Sequence, residues 1–275
     1  MMGKVDRHCA DLEPLLARFL TAGDQRPLRD YLVANSNLPG RRGNLELLTA
    51  LGDAVAKAQP SSMARLWALS AELADVSPDE ADVNDPASFL VYAGAVAIGA
   101  IGSVSAVYIT RALLRLRVLA RDPRWRVRES VAFGLQRLLQ AESDATLTAL
   151  ETWGGDGDLL EMRAAAVAVA HPPLLRDATF ALRALTLHRS ILDQLAAIPK
   201  ADRRTEPFRV LRKGLAFAIS VVACGVPDAG FAYLEALAGV NDRDVTWIVR
   251  QNLRKKRLQR LDPDRAAAIG RRLET

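Results

Sequence analysis

Arginines dominate the side chains of this sequence that could bind a ligand. Between positions 111 and 137 there are eight arginines and two acids, a formal net charge of +6. Further along, Arg250, Arg254 and Arg257 are spaced so that they would share one face of a helix. Guanidinium groups bind phosphates and carboxylates through paired hydrogen bonds. These spacings favour an anion-binding stripe, and its recurrence along the chain favours nucleic acid as the anion.

Two tryptophans belong to a repeated pattern: an acid, a tryptophan three residues later, and valine and arginine at the fifth and sixth steps. The two full copies are Asp122, Trp125, Val127 and Arg128, and Asp244, Trp247, Val249 and Arg250. Partial copies place Arg163 and Arg212 at equivalent positions, so that the four arginines are separated by 35, 49 and 38 residues. Periods of this length are typical of stacked helical hairpins.

Each of these residue types has a structural interpretation as well. Paired with each other, Asp122 with Arg128 and Asp244 with Arg250 can hold neighbouring hairpins together, and a tryptophan in the first helical turn can pack between the hairpins. The functional interpretation is that the arginines contact phosphates and the tryptophans stack on bases. It predicts a nucleic-acid-binding set of Arg41, Arg42, Arg124, Trp125, Arg128, Arg163, Arg212, Trp247, Arg250, Arg254 and Arg257.

The repeated pattern resembles the HEAT family of helical repeats, whose second helix opens with an aspartate followed six residues later by an arginine. The resemblance covers roughly residues 104–262 and is closest to the HEAT-like bacterial proteins grouped with alkylpurine DNA glycosylases. It implies an α-solenoid of about six stacked antiparallel hairpins with a basic concave face. We expect a single domain over 1–275, with divergent hairpins over 1–103 and a C-terminal cap over 263–275.

Helical periodicity supports an all-α chain. Apolar residues follow Asn44, a capping candidate, at helical spacing, and another such series follows Asp122-Pro123. The stretch 89–109 carries no charge and is long enough to span a bilayer. Its glycines and alanines favour buried helices that approach closely, so we expect no membrane association.

Arg41 and Arg42 lie between two glycines in a loop that comes directly before the helix that Asn44 would cap. Backbone N–H groups at a helix start and two guanidinium groups could hold a phosphate together. An ordinary turn with exposed arginines is the competing interpretation.

Conventional catalytic patterns are missing from the sequence. The three histidines have no cysteine or carboxylate at metal-ligand spacing, so we expect neither a metal nor another cofactor. The glycosylase resemblance implies a catalytic aspartate on the helix before Arg128, yet residues 104–120 contain no acid. Glu129 is a weak substitute candidate, with an ordinary surface acid as its competing interpretation.

Composition and charge restrict the class of protein and the kind of partner it can bind. The 275 residues are 50% apolar, and the formal charge of +5 divides into −4 over residues 1–103 and +9 over 104–275. Acids at positions 6, 11 and 13 argue against a signal peptide, so we expect a cytoplasmic monomer. We predict a non-catalytic protein that binds nucleic acid or an acidic protein. The alternatives are an alkylpurine DNA glycosylase and a protein-interaction scaffold.

Overall fold

A computed structural model describes residues 3–273, and every regular element in that range is helical. Contacts divide the chain into two compact units, Met1–Thr146 and Leu147–Thr275, each with its own core. The predicted all-α class is therefore confirmed. The prediction of one domain over 1–275 stays a prediction.

The first unit is built, in its described residues, from α1 to α7, and α8 begins at its end. Their bounds are α1 Lys4–Ala22, α2 Arg26–Ala34, α3 Leu45–Ala56, α4 Met63–Ala74, α5 Phe89–Val104, α6 Ala106–Leu119, α7 Trp125–Ala141 and α8 Ser143–Asp156. Successive odd-numbered helices contact one another from α1 to α7, while α4 and α6 both pack against α5. This is the packing of stacked helical hairpins, as predicted for an α-solenoid.

Helix α5 forms the centre of the first unit and is buried on every side from Phe89 to Gly102. The helical segment Pro86–Val104 has a mean hydropathy of 1.8, enough by length and composition to cross a membrane, yet 83% of it is buried inside the protein. Its glycines permit this burial. A Cβ added at Gly94 would stand 2.7 Å from the backbone of α4, and one at Gly99 would meet the backbone of Gly134 in α7.

Helix α7 begins after Asp122-Pro123, as the sequence predicts. Pro123 cannot continue the preceding helix, and the Asp122 carboxylate accepts a hydrogen bond of 2.8 Å from the backbone N–H of Arg124, the N-cap residue. The apolar series of this helix points to the core, since Val127 and Val131 are completely buried.

The second unit contains the rest of α8 and, in its described residues, α9 to α15. Their bounds are α9 Leu159–Val169, α10 Ala178–Ala197, α11 Glu206–Ala223, α12 Pro227–Ala238, α13 Arg243–Leu253, α14 Lys256–Leu261 and α15 Pro263–Arg272. Helix α11 is central and contacts α9, α10, α12 and α13. Aspartates at 158, 177, 242 and 262 cap the helices that follow them with side-chain acceptors.

Candidate nucleic-acid interface

The loop that carries Arg41 and Arg42 is fixed at both ends. Asn44 accepts a hydrogen bond of 3.0 Å from the backbone N–H of Leu47, which caps α3 as predicted, and donates one of 2.9 Å to the Asn35 carbonyl. Arg126, in the first turn of α7, donates two hydrogen bonds of 3.0 Å to the Gly40 carbonyl. The loop is thus tied to α7, although these segments are far apart in sequence.

Three side chains on one face of α7 lie beside this loop. Trp125, Glu129 and Phe133 are four residues apart in succession, which aligns them along the helix. Trp125 is 47% exposed and Phe133 is 37% exposed, although most large apolar side chains of the helix are buried. The Arg126 guanidinium carbon lies 4.7 Å from the centre of the Trp125 ring. The face therefore presents two accessible aromatic rings with a carboxylate between them.

The loop and this face of α7 enclose a cleft of about 590 Å³ in the first unit. It is lined by Arg41, Arg42, Gly43, Leu45, Leu48, Tyr92, Trp125, Arg126, Glu129, Ser130 and Phe133. Tyr92 is buried there with its hydroxyl 2.9 Å from Ser88 Oγ, and burial raises the pKa of that hydroxyl. The structure thus brings together four residues predicted separately, namely Arg41, Arg42, Trp125 and Glu129.

The cleft combines positive charge with unused hydrogen-bond donors. Arg41 and Arg42 are exposed and form no hydrogen bond or ion pair with any residue in 3–273. Arg126 is only 8% exposed, and its Nε, which is buried, has no hydrogen-bond partner within the same described range. Because a buried donor without a partner is costly, a bound acceptor would stabilise this side chain.

Glu129 is half-buried and is the one carboxylate among the residues that line the cleft. A carboxylate there can accept hydrogen bonds from amino groups or face a developing positive charge. Elsewhere in the described residues no group of three His, Cys, Asp or Glu side chains could hold a metal ion. The arrangement can stack an aromatic ligand, bind its anionic part and contact its donors.

Other arginines of the predicted set are used inside the protein. Arg124 is 4% exposed, and its guanidinium contacts the Asp122 carboxylate and the carbonyls of Val76, Ser77 and Ala81. Arg128 is 3% exposed and donates to the carbonyls of Asp122 and Pro123. Their buried positions leave both guanidinium groups without access to a phosphate, so the prediction that they bind nucleic acid is wrong.

In the second unit the predicted arginines differ in exposure. Arg163 is 8% exposed and belongs to the interior. Arg212 is half-buried, pairs with Asp244 and lies with its guanidinium carbon 4.3 Å from the ring centre of Trp247, which is itself half-buried. Arg250 donates to the Leu273 carbonyl, so the predicted Asp244–Arg250 pair is wrong: Asp244 accepts from Arg203 and Arg212 instead.

All three arginines of the predicted stripe remain accessible near α14. Arg250 is exposed despite its bond to the Leu273 carbonyl, and it lines a cleft of about 600 Å³ together with Arg254. Arg254 is exposed, and Arg257 is half-buried with its guanidinium carbon 4.5 Å from the ring centre of Phe217, which is 46% exposed. Lys255 Nζ lies 5.5 Å from the same ring. This small surface is therefore cationic and aromatic as well, and Phe217 is not among the residues that line the cleft of Arg250 and Arg254.

Comparison with known proteins leaves function open. No family model matches the chain, and no curated protein sequence is detectably similar to it. Among solved structures, the designed armadillo repeat protein YIII(Dq)4CqI matches with a TM-score of 0.31 and 18% sequence identity, over 83% of this chain and 98% of that chain. The helical-hairpin architecture rests on the helix packing within each unit. The resemblance to alkylpurine glycosylases stays a prediction.

Sequence reasoning missed Phe133, Tyr92 and the anchoring role of Arg126. Phe133 could have been found, since it continues the four-residue spacing of Trp125 and Glu129. The bonds from Arg126 to Gly40 join residues 86 positions apart, and no local pattern carries that information.

Proposed function

We propose that the protein is a non-catalytic nucleic-acid-binding protein and that the cleft of the first unit receives an unpaired base. The base stacks on Trp125, with Phe133 as a second aromatic contact, and the neighbouring phosphates bind Arg41 and Arg42. Glu129 accepts a hydrogen bond from an amino group on the base edge.

One observation carries the proposal: two exposed arginines without partners in residues 3–273 line the same cleft as two exposed aromatic side chains. Aromatic stacking and phosphate contacts are the two elements of single-strand binding without strong sequence preference. Trp125 is 47% exposed and Phe133 is 37% exposed, whereas the other large apolar side chains of α7 are buried. Stacked hairpins are also a common architecture for binding surfaces.

The test measures binding of a fluorescent single-stranded oligonucleotide by anisotropy over a range of salt concentrations. Trp125→Ala should weaken binding about 5- to 100-fold, since stacking contributes about 1–3 kcal/mol per base. Trp125→Phe, which retains an aromatic ring, should recover most of that loss. Replacing Arg41 and Arg42 together by alanine should make the salt dependence shallower by up to about 1.4, because each phosphate contact contributes about 0.7.

A matched control removes the same charge elsewhere in the first unit. Arg18 and Arg26 are exposed residues of α1 and α2 and do not line the cleft. Their double replacement by alanine should leave the salt dependence nearly unchanged. Equal effects of the two double variants would mean that only net charge attracts the strand. Absence of binding by the parent protein at moderate salt would overturn the proposal and favour the protein-scaffold alternative.

A second candidate function, excision of an alkylated purine, is supported by the position of Glu129 in the cleft beside Trp125 and Phe133. A carboxylate next to a flipped base could stabilise positive charge that develops on the sugar. We still expect no release of methylated purine from alkylated duplex DNA by the purified protein. Release that Glu129→Gln abolishes, while oligonucleotide binding persists, would establish the enzymatic alternative instead.

A further inference from the structure

A surface of the second unit combines exposed cations with an exposed aromatic ring. Arg209, Lys213 and Phe217 follow one another at four-residue intervals along one side of α11, and all three are exposed. Lys255 and Arg257, on either side of the first residue of α14, place the ammonium nitrogen 5.5 Å and the guanidinium carbon 4.5 Å from the centre of the Phe217 ring. We call these five residues the Phe217 surface.

The charge of the Phe217 surface is not neutralised by the protein. Residues 207–227 contain three cations and residues 245–261 contain six, and neither segment contains an acid. The four cations of the Phe217 surface form no side-chain hydrogen bond or ion pair with any residue in 3–273. They differ in this respect from Arg124, whose guanidinium is buried among internal acceptors. Their hydrogen-bond donors are therefore available to an anion.

Phe217 can hold the guanidinium of Arg257 in position without using its donors. The distance of 4.5 Å lies within the range of cation–π attraction, and a phenyl ring offers no oxygen acceptor. The planar group of Arg257 thus keeps its N–H groups for the paired hydrogen bonds that suit phosphate. Phe217 is 46% exposed, whereas the leucines, the isoleucine and the other phenylalanine of α11 are buried.

The composition of the surface favours a nucleic-acid backbone over a partner protein. Protein partners gain most of their affinity from apolar or aromatic anchors in pockets, but the one ring of this surface has two cations beside it. A phosphate backbone gains affinity from every charge that a cation neutralises. Positions 209 to 217 extend over about 12 Å of helix. This length exceeds the axial spacing of successive charges on one strand of a duplex, which is about 3.4 Å.

We propose that the Phe217 surface binds the phosphate backbone of nucleic acid without reading the bases. Arg209, Lys213, Lys255 and Arg257 contact phosphates, and Phe217 is a positioning residue for the last of these. The proposal goes beyond the function proposed above, which concerns an unpaired base in the cleft of the first unit. Because backbone contacts need no unpaired base, this surface binds duplex DNA as well as single strands.

The test uses a fluorescent blunt-ended duplex, which presents phosphates but no unpaired base, and measures its anisotropy with the full chain over a range of salt concentrations. Replacing Lys255 and Arg257 together by alanine should make the salt dependence shallower by up to about 1.8, because each neutralised phosphate contributes about 0.9. Circular dichroism should show unchanged helical content, since neither side chain is buried.

Replacement of the ring separates positioning from charge. Phe217→Ala leaves the charge unaltered, so the salt dependence should stay nearly constant while binding at one salt concentration weakens about 2- to 5-fold. Phe217→Tyr retains the ring and should restore the affinity. Unchanged affinity of Phe217→Ala would contradict the positioning role of the ring.

Arg176 and Arg189 provide a control with the same loss of charge. Both are exposed in the second unit and lie outside the Phe217 surface, and the guanidinium carbon of Arg189 is 4.9 Å from the ring centre of Tyr233. Their double replacement by alanine should change the salt dependence of duplex binding much less. Equal changes in the two double variants would mean that only net charge attracts the duplex and would overturn the proposal.

Other outcomes distinguish this surface from the cleft and from other partners. Trp125→Ala should leave duplex binding unchanged, and loss of duplex binding in that variant would overturn a separate surface. No duplex binding by the parent protein at low salt would also overturn it, while the single-strand test of the cleft would stand by itself. In that case, binding of phosphatidylglycerol vesicles or of poly-glutamate that is lost on replacement of Lys255 and Arg257 would assign the surface to a membrane or to an acidic protein.

Discussion

Replacement of Asp122 by alanine tests how the arginine-rich segment is stabilised. The Asp122 carboxylate accepts hydrogen bonds of 2.9 Å and 2.7 Å from Nε and Nη2 of Arg124. Their side chains are 10% and 4% exposed, so the pair is nearly shielded from water. The same guanidinium donates to the carbonyls of Val76, Ser77 and Ala81. Arg124 therefore joins the acidic loop before α5 to the start of α7.

The magnitude follows from these contacts. Breaking a buried ion pair by removing one partner costs about 3–5 kcal/mol, since the other charge remains uncompensated. Three carbonyl bonds to Arg124 persist in the variant and offset part of this cost. We expect Asp122→Ala to lower the free energy of unfolding by about 3 kcal/mol, and Asp122→Asn to lower it less, because an amide oxygen still accepts one hydrogen bond.

Urea unfolding followed by circular dichroism measures this change, with the transition slope checked for constancy. Asp75→Ala is the matched control: Asp75 pairs with Arg115 in the same unit, but its side chain is 66% exposed, so its loss should cost less than about 1 kcal/mol. An equal decrease in the free energy of unfolding for Asp122→Ala and Asp75→Ala would refute the reasoning, because burial would then not influence the strength of an ion pair.

Two further perturbations test the core and the second unit. Gly99→Ala should lower the free energy of unfolding, measured in urea, by about 1–3 kcal/mol, because the added Cβ would meet the backbone of Gly134. Gly155→Ala is the control and should be neutral or stabilising, since a Cβ there has no atom within 4 Å. Similar effects of the two variants would contradict the close approach of α5 to α7 at Gly99. Burial tends to raise the pKa of Asp242, but hydrogen bonds from Arg203 and two backbone N–H groups lower it below 3.8. Its stabilising contribution is thus present above the unfolded pKa and lost as the pH falls through the lower folded pKa. The difference in melting temperature between parent and Asp242→Asn should narrow from pH 7 towards about pH 3, and a constant difference would be inconsistent with this linkage.

Local sequence signals predict most of the fold correctly because helix starts and buried faces depend on near neighbours. Asn44 caps α3, and Asp122-Pro123 precedes α7. The uncharged stretch 89–109 is a buried helix with close glycine contacts over 89–102, whereas its last residues, 104–109, are exposed or half-buried. Each of these features depends on residues within a few turns of one another. The periodicity of apolar side chains fixes which face packs inward.

Local sequence signals do not predict which side chains far apart in the sequence pair with one another. The sequence predicts that Asp244 pairs with Arg250, six residues on, but Arg203 and Arg212 reach it from 41 and 32 residues away. An arginine side chain is long and has five donors, so its partner depends on which acceptors the fold brings near. In both copies the acid accepts hydrogen bonds from arginines of the same unit, and tertiary packing sets which arginines these are.

The candidate site shows the same limit for ligand-binding residues. The net charge of residues 111–137 predicts an anion-binding region, yet Arg124 and Arg128 bind internal acceptors there. Two arginines that have no partner in residues 3–273 and that line a cleft with exposed aromatic rings lie instead in the acidic N-terminal part, at Arg41 and Arg42. A high density of arginine therefore does not by itself predict phosphate binding, because carbonyls and carboxylates inside the protein can accept the same hydrogen bonds. A better indicator of a binding site is a guanidinium donor that has no acceptor and lies beside an accessible aromatic ring. In the first unit, this criterion selects the cleft at Trp125.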